Sequence, residues 1–368
     1  MTNVGNIENV ENLYNKLIKQ DRSLCVIVYC LPKVGSTTLI TSLRVSLGNK
    51  ANVIHIHNEN MIETLTGIKS ISINELISYI STKVNKLYVI DIYRTSLERK
   101  ISEYFDKLTL HFNNTEENLC NYNIQLLIDR FNRLFHCMQE GDYFFEKYSI
   151  TNLRKPTAFD FVDKHLIYNE RNLCFVKLRL CDAKEWATIL SELFDKKIVI
   201  IDDHCSSNKR IGLKYDEFKK QYYLPSNFFE YISKDPQLSF YYNAAEKEAY
   251  LNTWKKKQGD YFQSYSQTEY NLYLSITLQN QCHDCVENDH YIDSGCYCKA
   301  CSIKRCVLYN KALKGEIIKD KIIHSECVRE LVENKKRAIQ RRIINKYKNN
   351  SVIMKKGGYR VRSLIDIN

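Results

Sequence analysis

The chain has 368 residues, 44% of them hydrophobic, and a formal net charge of +11. That length accommodates one large domain and a small one. No run of 18 apolar residues occurs, which argues against a membrane-spanning helix, and the polar start at Met1-Thr2-Asn3 lacks a signal-peptide pattern. A cytoplasmic location is expected. The positive charge suits an anionic partner: a nucleotide, an acidic glycan, nucleic acid or a membrane surface.

Residues 1–20 read as a leading helix with Val10, Leu13, Leu17 and Ile18 on one face. An α/β part follows over 21–275. Its pattern predicts strand 23–31, helix 37–47, strand 52–57, helix 73–83, strand 87–92 and helix 97–110. A polar loop at 113–118 precedes a helix over 123–138. Strands 173–180 and 197–201 are predicted with helix 183–194 between them, a βαβ unit that implies a parallel sheet flanked by helices. Residues 205–280 are rich in aromatics and helical in pattern, with a helix start near Tyr241–Glu246.

The first strand, Leu24 to Leu31, is continuously apolar, as for a strand buried on both faces. It runs into Pro32-Lys33-Val34-Gly35-Ser36-Thr37-Thr38 and then a helical spacing of Leu39, Ile40, Leu43 and Leu47. A strand, a tight loop and a helix N-terminus form a phosphate-binding arrangement, because backbone N–H groups and the helix dipole favour an anion. Lys33 adds a charge. The same pattern also describes an ordinary capped βα turn. It is not a Walker A loop, since the lysine precedes a single glycine. That disfavours a kinase-like P-loop enzyme.

The third strand ends in Ile92-Tyr93-Arg94, and the next helix opens near Ser96. Leu97, Ile101, Tyr104, Phe105 and Leu108 give that helix an apolar face. Open parallel sheets bind ligands at strand C-terminal ends, so Arg94 and Lys33 are expected to share one crevice. Arginine suits bidentate phosphate recognition. Ser102 follows Arg94 with seven residues between them.

Together these segments resemble the sulfotransferase superfamily, and within it the capsular polysaccharide synthesis branch. The resemblance covers roughly residues 20–255. The branch pattern is matched by Arg94, Arg99, Ile101, Ser102, Tyr104 and Phe105, and by the aromatic–acidic stretch Asp142-Tyr143-Phe144-Phe145-Glu146-Lys147-Tyr148. Thr95-Ser96 departs from the Asp-Pro usual in the family. The resemblance implies that Lys33, Gly35, Ser36, Thr37 and Thr38 hold the 5′-phosphate side of 3′-phosphoadenosine 5′-phosphosulfate (PAPS). It implies that Arg94 and Ser102 hold the 3′-phosphate. The implied reaction is sulfuryl transfer from this nucleotide-sulfate donor to a hydroxyl acceptor, with a polysaccharide as one acceptor class.

Sulfuryl transfer needs a base within reach of the acceptor hydroxyl. In the superfamily it stands just beyond the second strand. Here Asn52-Val53-Ile54-His55-Ile56-His57-Asn58-Glu59 ends that strand, so His57 and Glu59 are the candidates, with His111 and His136 in reserve. Lys33 is expected to stabilise the leaving phosphate.

Seven of the 14 cysteines cluster late in the chain. Cys282, Cys285, Cys296, Cys298, Cys301, Cys306, His324 and Cys327 carry spacings that suit one or two structural zinc ions. Their order resembles the cross-brace layout of RING and PHD-type fingers. A disulfide framework is the competing reading. The expected zinc module spans 276–330. A basic helical tail over 331–368 follows, with Lys335, Lys336, Arg337, Arg341, Arg342 and Lys346. Module and tail offer a surface for a protein or nucleic-acid partner. The alternative to an enzyme is a catalytically inactive sulfotransferase-fold protein that binds through these elements.

Overall fold

The computed structural model describes residues 4–18, 23–112, 116–143, 158–201, 211–271, 273 and 314. The predicted zinc ligands and the basic tail lie outside the described residues.

The core is a five-stranded sheet of β1 (Leu24–Tyr29), β2 (Ala51–Ile56), β3 (Lys86–Tyr93), β4 (His165–Glu170) and β5 (Leu173–Arg179) in the order β2-β1-β3-β5-β4. Strands β1, β2, β3 and β5 are parallel, and β4 pairs antiparallel with β5. The mixed α/β architecture with a parallel-dominated sheet is therefore as the apolar strand patterns imply. All of β1 from Cys25 to Tyr29 is buried, as an inner parallel strand must be. Edge strand β4 has half-buried and exposed positions and no continuous apolar run, so it carried a weak strand signal.

Helices α1 (Val4–Leu17), α2 (Ser36–Leu47), α3 (Glu59–Thr66) and α4 (Ile73–Ser81) surround the β1–β3 half. Helix α1 buries Val10 and Leu13 in the same core as the sheet and packs on α3 and α4, so it belongs to this unit. Helix α3 was not predicted. Asn58 caps it by accepting from the Met61 N–H, and Gly67 ends it at φ 75°.

A second core is helical. It involves α5 (Ser96–Asp106), α6 (Leu108–Phe112), α7 (Glu116–Leu119) and α8 (Ile124–Leu134). After α9 (Trp186–Phe194), it continues with α10 (Gly212–Gln221) and α11 (Ser226–Ser233); α12 (Pro236–Tyr241) instead puts Tyr241 into the sheet core, and α13 (Ala244–Lys255) packs on the helical one. Stacked Phe135–Phe228 and Phe218–Tyr222 pairs fill its centre. The predicted helix over 97–110 breaks at Lys107, and that over 123–138 ends in a tight 3₁₀ turn. Helix α5 opens at Ser96 as expected, with Thr95 at the cap position making no side-chain cap bond.

Residues 197–201 do not form the predicted strand. They run along α2, where the amides of Val199 and Ile201 donate to Ser46 Oγ and Ser42 Oγ. Alternate residues of an extended chain match helix positions four apart, since both repeats are near 6 Å. The apolar run Ile198, Val199 and Ile201 is buried as the sequence suggests, but against a helix.

Candidate functional site

The β1–α2 and β3–α5 loops lie side by side because β1 and β3 are parallel neighbours. Lys33 adopts φ 68° and Gly35 φ 91°. Gly35 is the N-cap of α2, and no side chain caps that helix. The step from left-handed Gly35 into right-handed Ser36 turns successive amides towards one concave side, an anion-binding arrangement. A Cβ at Gly35 would stand 2.6 Å from Leu180 Cδ1 and 3.3 Å from Trp186, so only glycine fits. Ser36 is buried, while Thr37 and Thr38 are half-buried on the first turn.

Arg94 Nη1 donates to the Lys33 carbonyl at 2.8 Å, tying the two loops together. The Lys33 ammonium reaches Asp106 Oδ1 at 2.7 Å, at the far end of α5. Asp106 shares its helix face with Arg99, Ser102 and Glu103, which are three and four residues apart. That face is buried apart from Asp106, although it is polar. Lys33, Arg94 and the Ser102 face of α5 are thus brought to the C-terminal edge of the sheet. Arg99 Nη1 pairs with Glu103 Oε2 at 3.3 Å, and its Nη2 is buried with no partner among the described residues. An uncapped helix start and an unmet guanidinium N–H fit a phosphate-bearing ligand. Asp106 was not singled out in the sequence, and only this helix-face spacing could have flagged it.

The base candidates stand at the same edge. His57 Nδ1 lies 2.8 Å from the Cys30 carbonyl, three residues before Lys33. A carbonyl only accepts, so Nδ1 carries the proton and the neutral ring has its lone pair on Nε2. The His55 ring meets that of His57 at 4.4 Å. Burial, then the neighbouring His57 and Arg44, hold His55 well below the usual histidine range, and its Nε2 has no partner among the described residues. Glu59 accepts from the Tyr29 hydroxyl at 3.1 Å, and Tyr29 stacks on Tyr143. The reserve candidates lie elsewhere. His111 bonds Tyr273 Oη, and burial pulls its pKa down to about 3. His136 packs against Phe135, Phe228 and Tyr231 in the second core.

Beneath the site lies a buried charge cluster that sequence reasoning missed. Lys177 on β5 is 1% exposed on its side chain and bonds Asp91 Oδ2 at 2.7 Å and Asp142 Oδ1 at 2.6 Å. Asp91 and Lys177 are register partners on β3 and β5. Burial opposes the Lys177 charge, but the two carboxylates more than offset it and raise its pKa. Burial also raises Asp91 to about 7, with Asp142 adding to the rise and Lys177 opposing it. Single opposite charges inside two apolar strand patterns, Val89-Ile90-Asp91-Ile92 and Phe175-Val176-Lys177-Leu178, were the available signal.

Helix α13 docks on the start of α5, where the Tyr250 hydroxyl and Trp254 Nε1 donate to Glu98. Lys257 donates to the Lys219 and Lys220 carbonyls and so closes the C-terminus of α10. No helix among the described residues is long and apolar enough to cross a membrane. No cluster of three or more metal-ligating side chains occurs among the described residues. No family model, curated protein or solved structure matches this chain.

Proposed function

We propose that this chain is a PAPS-dependent sulfotransferase of the kind its Lys33 and Arg94 motifs resemble. The carrying observation is the Arg94–Lys33 bond, which joins the loop suited to one phosphate to the strand end suited to another. The α2 N-terminus and Lys33 take the 5′-phosphate side, with Gly35, Ser36, Thr37 and Thr38 shaping the turn. Arg94 and Ser102 take the 3′-phosphate. Bound there, PAPS supplies the sulfuryl group. His57 takes the proton of the acceptor hydroxyl through Nε2, because Nδ1 is committed to the Cys30 carbonyl. Glu59 is the weaker base, since it already accepts from Tyr29. Lys33 must leave Asp106 to meet charge developing on the departing phosphate.

The acceptor is a hydroxyl, with a polysaccharide as one class. The cysteine cluster holds one or two structural zinc ions through Cys282, Cys285, Cys296, Cys298, Cys301, Cys306, His324 and Cys327. That module and the basic tail are the place for a protein or nucleic-acid partner. One observation favours an inactive binding protein instead: the Lys33 ammonium is already paired with Asp106.

Calorimetry with 3′-phosphoadenosine 5′-phosphate (PAP) and AMP tests the donor site. PAP is expected to bind far more tightly, because only PAP carries the 3′-phosphate. Equal affinities would sink the assignment. Tight PAP binding without sulfuryl transfer from PAPS to any hydroxyl acceptor would favour the inactive protein.

A further inference from the structure

Arg99 is the most costly unexplained side chain at this edge of the sheet. It is 2% exposed, yet it carries a charge on a helix whose neighbouring face is packed with apolar residues. A buried guanidinium keeps its proton, so its N–H groups require acceptors. Glu103 meets Nη1 only, and Glu103 also serves Lys107 Nζ at 2.5 Å. Nη2 meets nothing among the described residues. Leaving such a donor unmet is expensive in a folded chain. Burial works against the Arg99 cation, Glu103 supports it, and the nearby Arg94 charge adds to the strain. Two like charges held close, with one acidic partner divided between Arg99 and Lys107, make a place that favours an anion.

The position on α5 says which anion. Arg99 stands one turn before Ser102 on the face whose last member, Asp106, meets Lys33. Helical side chains lean towards the N-terminus, so Glu103 reaches back to Arg99, and the Arg94 charge at the strand end is close enough to act on the Arg99 guanidinium.

We propose that Arg99 is a second arginine of the 3′-phosphate site, where its Nη2 shares the phosphate with Arg94 and sets the preference for a nucleotide that bears that group. The proposal rests on the donor reading above. A surface arginine collects counter-ions with little selectivity. A buried one is satisfied only by an anion seated in the site, so it discriminates by leaving its own N–H unmet when the phosphate is missing.

The test is calorimetry of the full chain with PAP and AMP, using wild type, Arg99→Lys and Glu103→Gln. Lysine keeps the charge and loses the guanidinium fork. Arg99→Lys is expected to lower PAP affinity about tenfold or more while AMP affinity stays the same, since losing one charge-assisted bond has that scale. A merely structural role would move both ligands together. Glu103→Gln removes the competing charge and is expected to widen the PAP preference. It decides the matter should Arg99→Lys fail to fold. An unchanged PAP-to-AMP ratio in a folded Arg99→Lys variant, or in Glu103→Gln where that variant does not fold, overturns the Arg99 role alone. Equal PAP and AMP affinity in the wild type overturns the donor reading itself.

Discussion

Arg94 holds the Lys33 carbonyl, and Lys33 holds Asp106, so one arginine side chain fixes the backbone from which the loop lysine swings. The Lys33 main chain is left-handed, at φ 68°, a conformation that costs energy outside glycine. Its geometry therefore depends on such a brace. Arg94→Ala is expected to weaken PAP binding by about 2–3 kcal/mol, the scale of a lost charge-assisted phosphate contact. AMP binding should fall less, through the loosened loop alone. Titration calorimetry reads both, and an equal loss for the two ligands would assign Arg94 to the loop only.

Gly35→Ala tests the turn itself. Its Cβ would press on Leu180 and Trp186, and φ 91° disfavours any side chain. The expected loss of stability is about 1–3 kcal/mol, the usual range for overpacking. Urea unfolding measures it. A variant as stable as wild type would mean that the loop relaxes freely, which would remove the argument for a rigid phosphate cradle.

Strand positions were legible where both faces are buried. The β1 run is apolar throughout, those of β3 and β5 are apolar apart from single charges such as Asp91 and Lys177, and their parallel pairing followed. The β1–α2 loop was legible as well, since Lys33, Gly35 and the α2 start carry local signals. Partners set by long-range contact were not. Asp106 meets Lys33 from a helix end 73 residues later, and Lys177 reads as a lone charge until β5 lies beside β3. The 197–201 run failed for a different reason. Buried extended backbone looks alike in sequence whether its amides meet a strand or a pair of serines.

The Asp91–Lys177–Asp142 cluster makes stability depend on pH. In the folded chain Asp91 keeps its proton up to about pH 7. In the unfolded chain it loses it near the ordinary value of about 4. Between those values the folded state binds more protons, so the Asp91 contribution lowers stability as pH rises across that window. Asp91→Asn removes this proton, and its stability should decline less from pH 5 to pH 8 than that of the wild type. Urea titrations at several pH values check this. Identical slopes for the two proteins would show that Asp91 does not titrate there.

Zinc is checked independently of the nucleotide site. Elemental analysis of the full chain should give one or two zinc ions. Thiol titration should find the late cysteines reduced. Metal binding to such modules is coupled to folding, so a chelator should expose 276–330 to protease while β1–β5 stay protected. Zinc below one per chain, or those cysteines paired as disulfides, would replace the metal module with a disulfide framework.

The serine pair on α2 has a consequence for hydrogen exchange. Protection of amides is commonly read as a sign of regular secondary structure, yet Val199 and Ile201 belong to none. Their N–H groups are buried and bonded to hydroxyls that turn with the helix: Ser42 Oγ also donates to the Thr38 carbonyl, one turn back on the same helix into which the phosphate loop runs. Their exchange should therefore report the opening of α2. Two amides far along the chain become a remote gauge of whether the first turn of that helix has been locked by a bound anion.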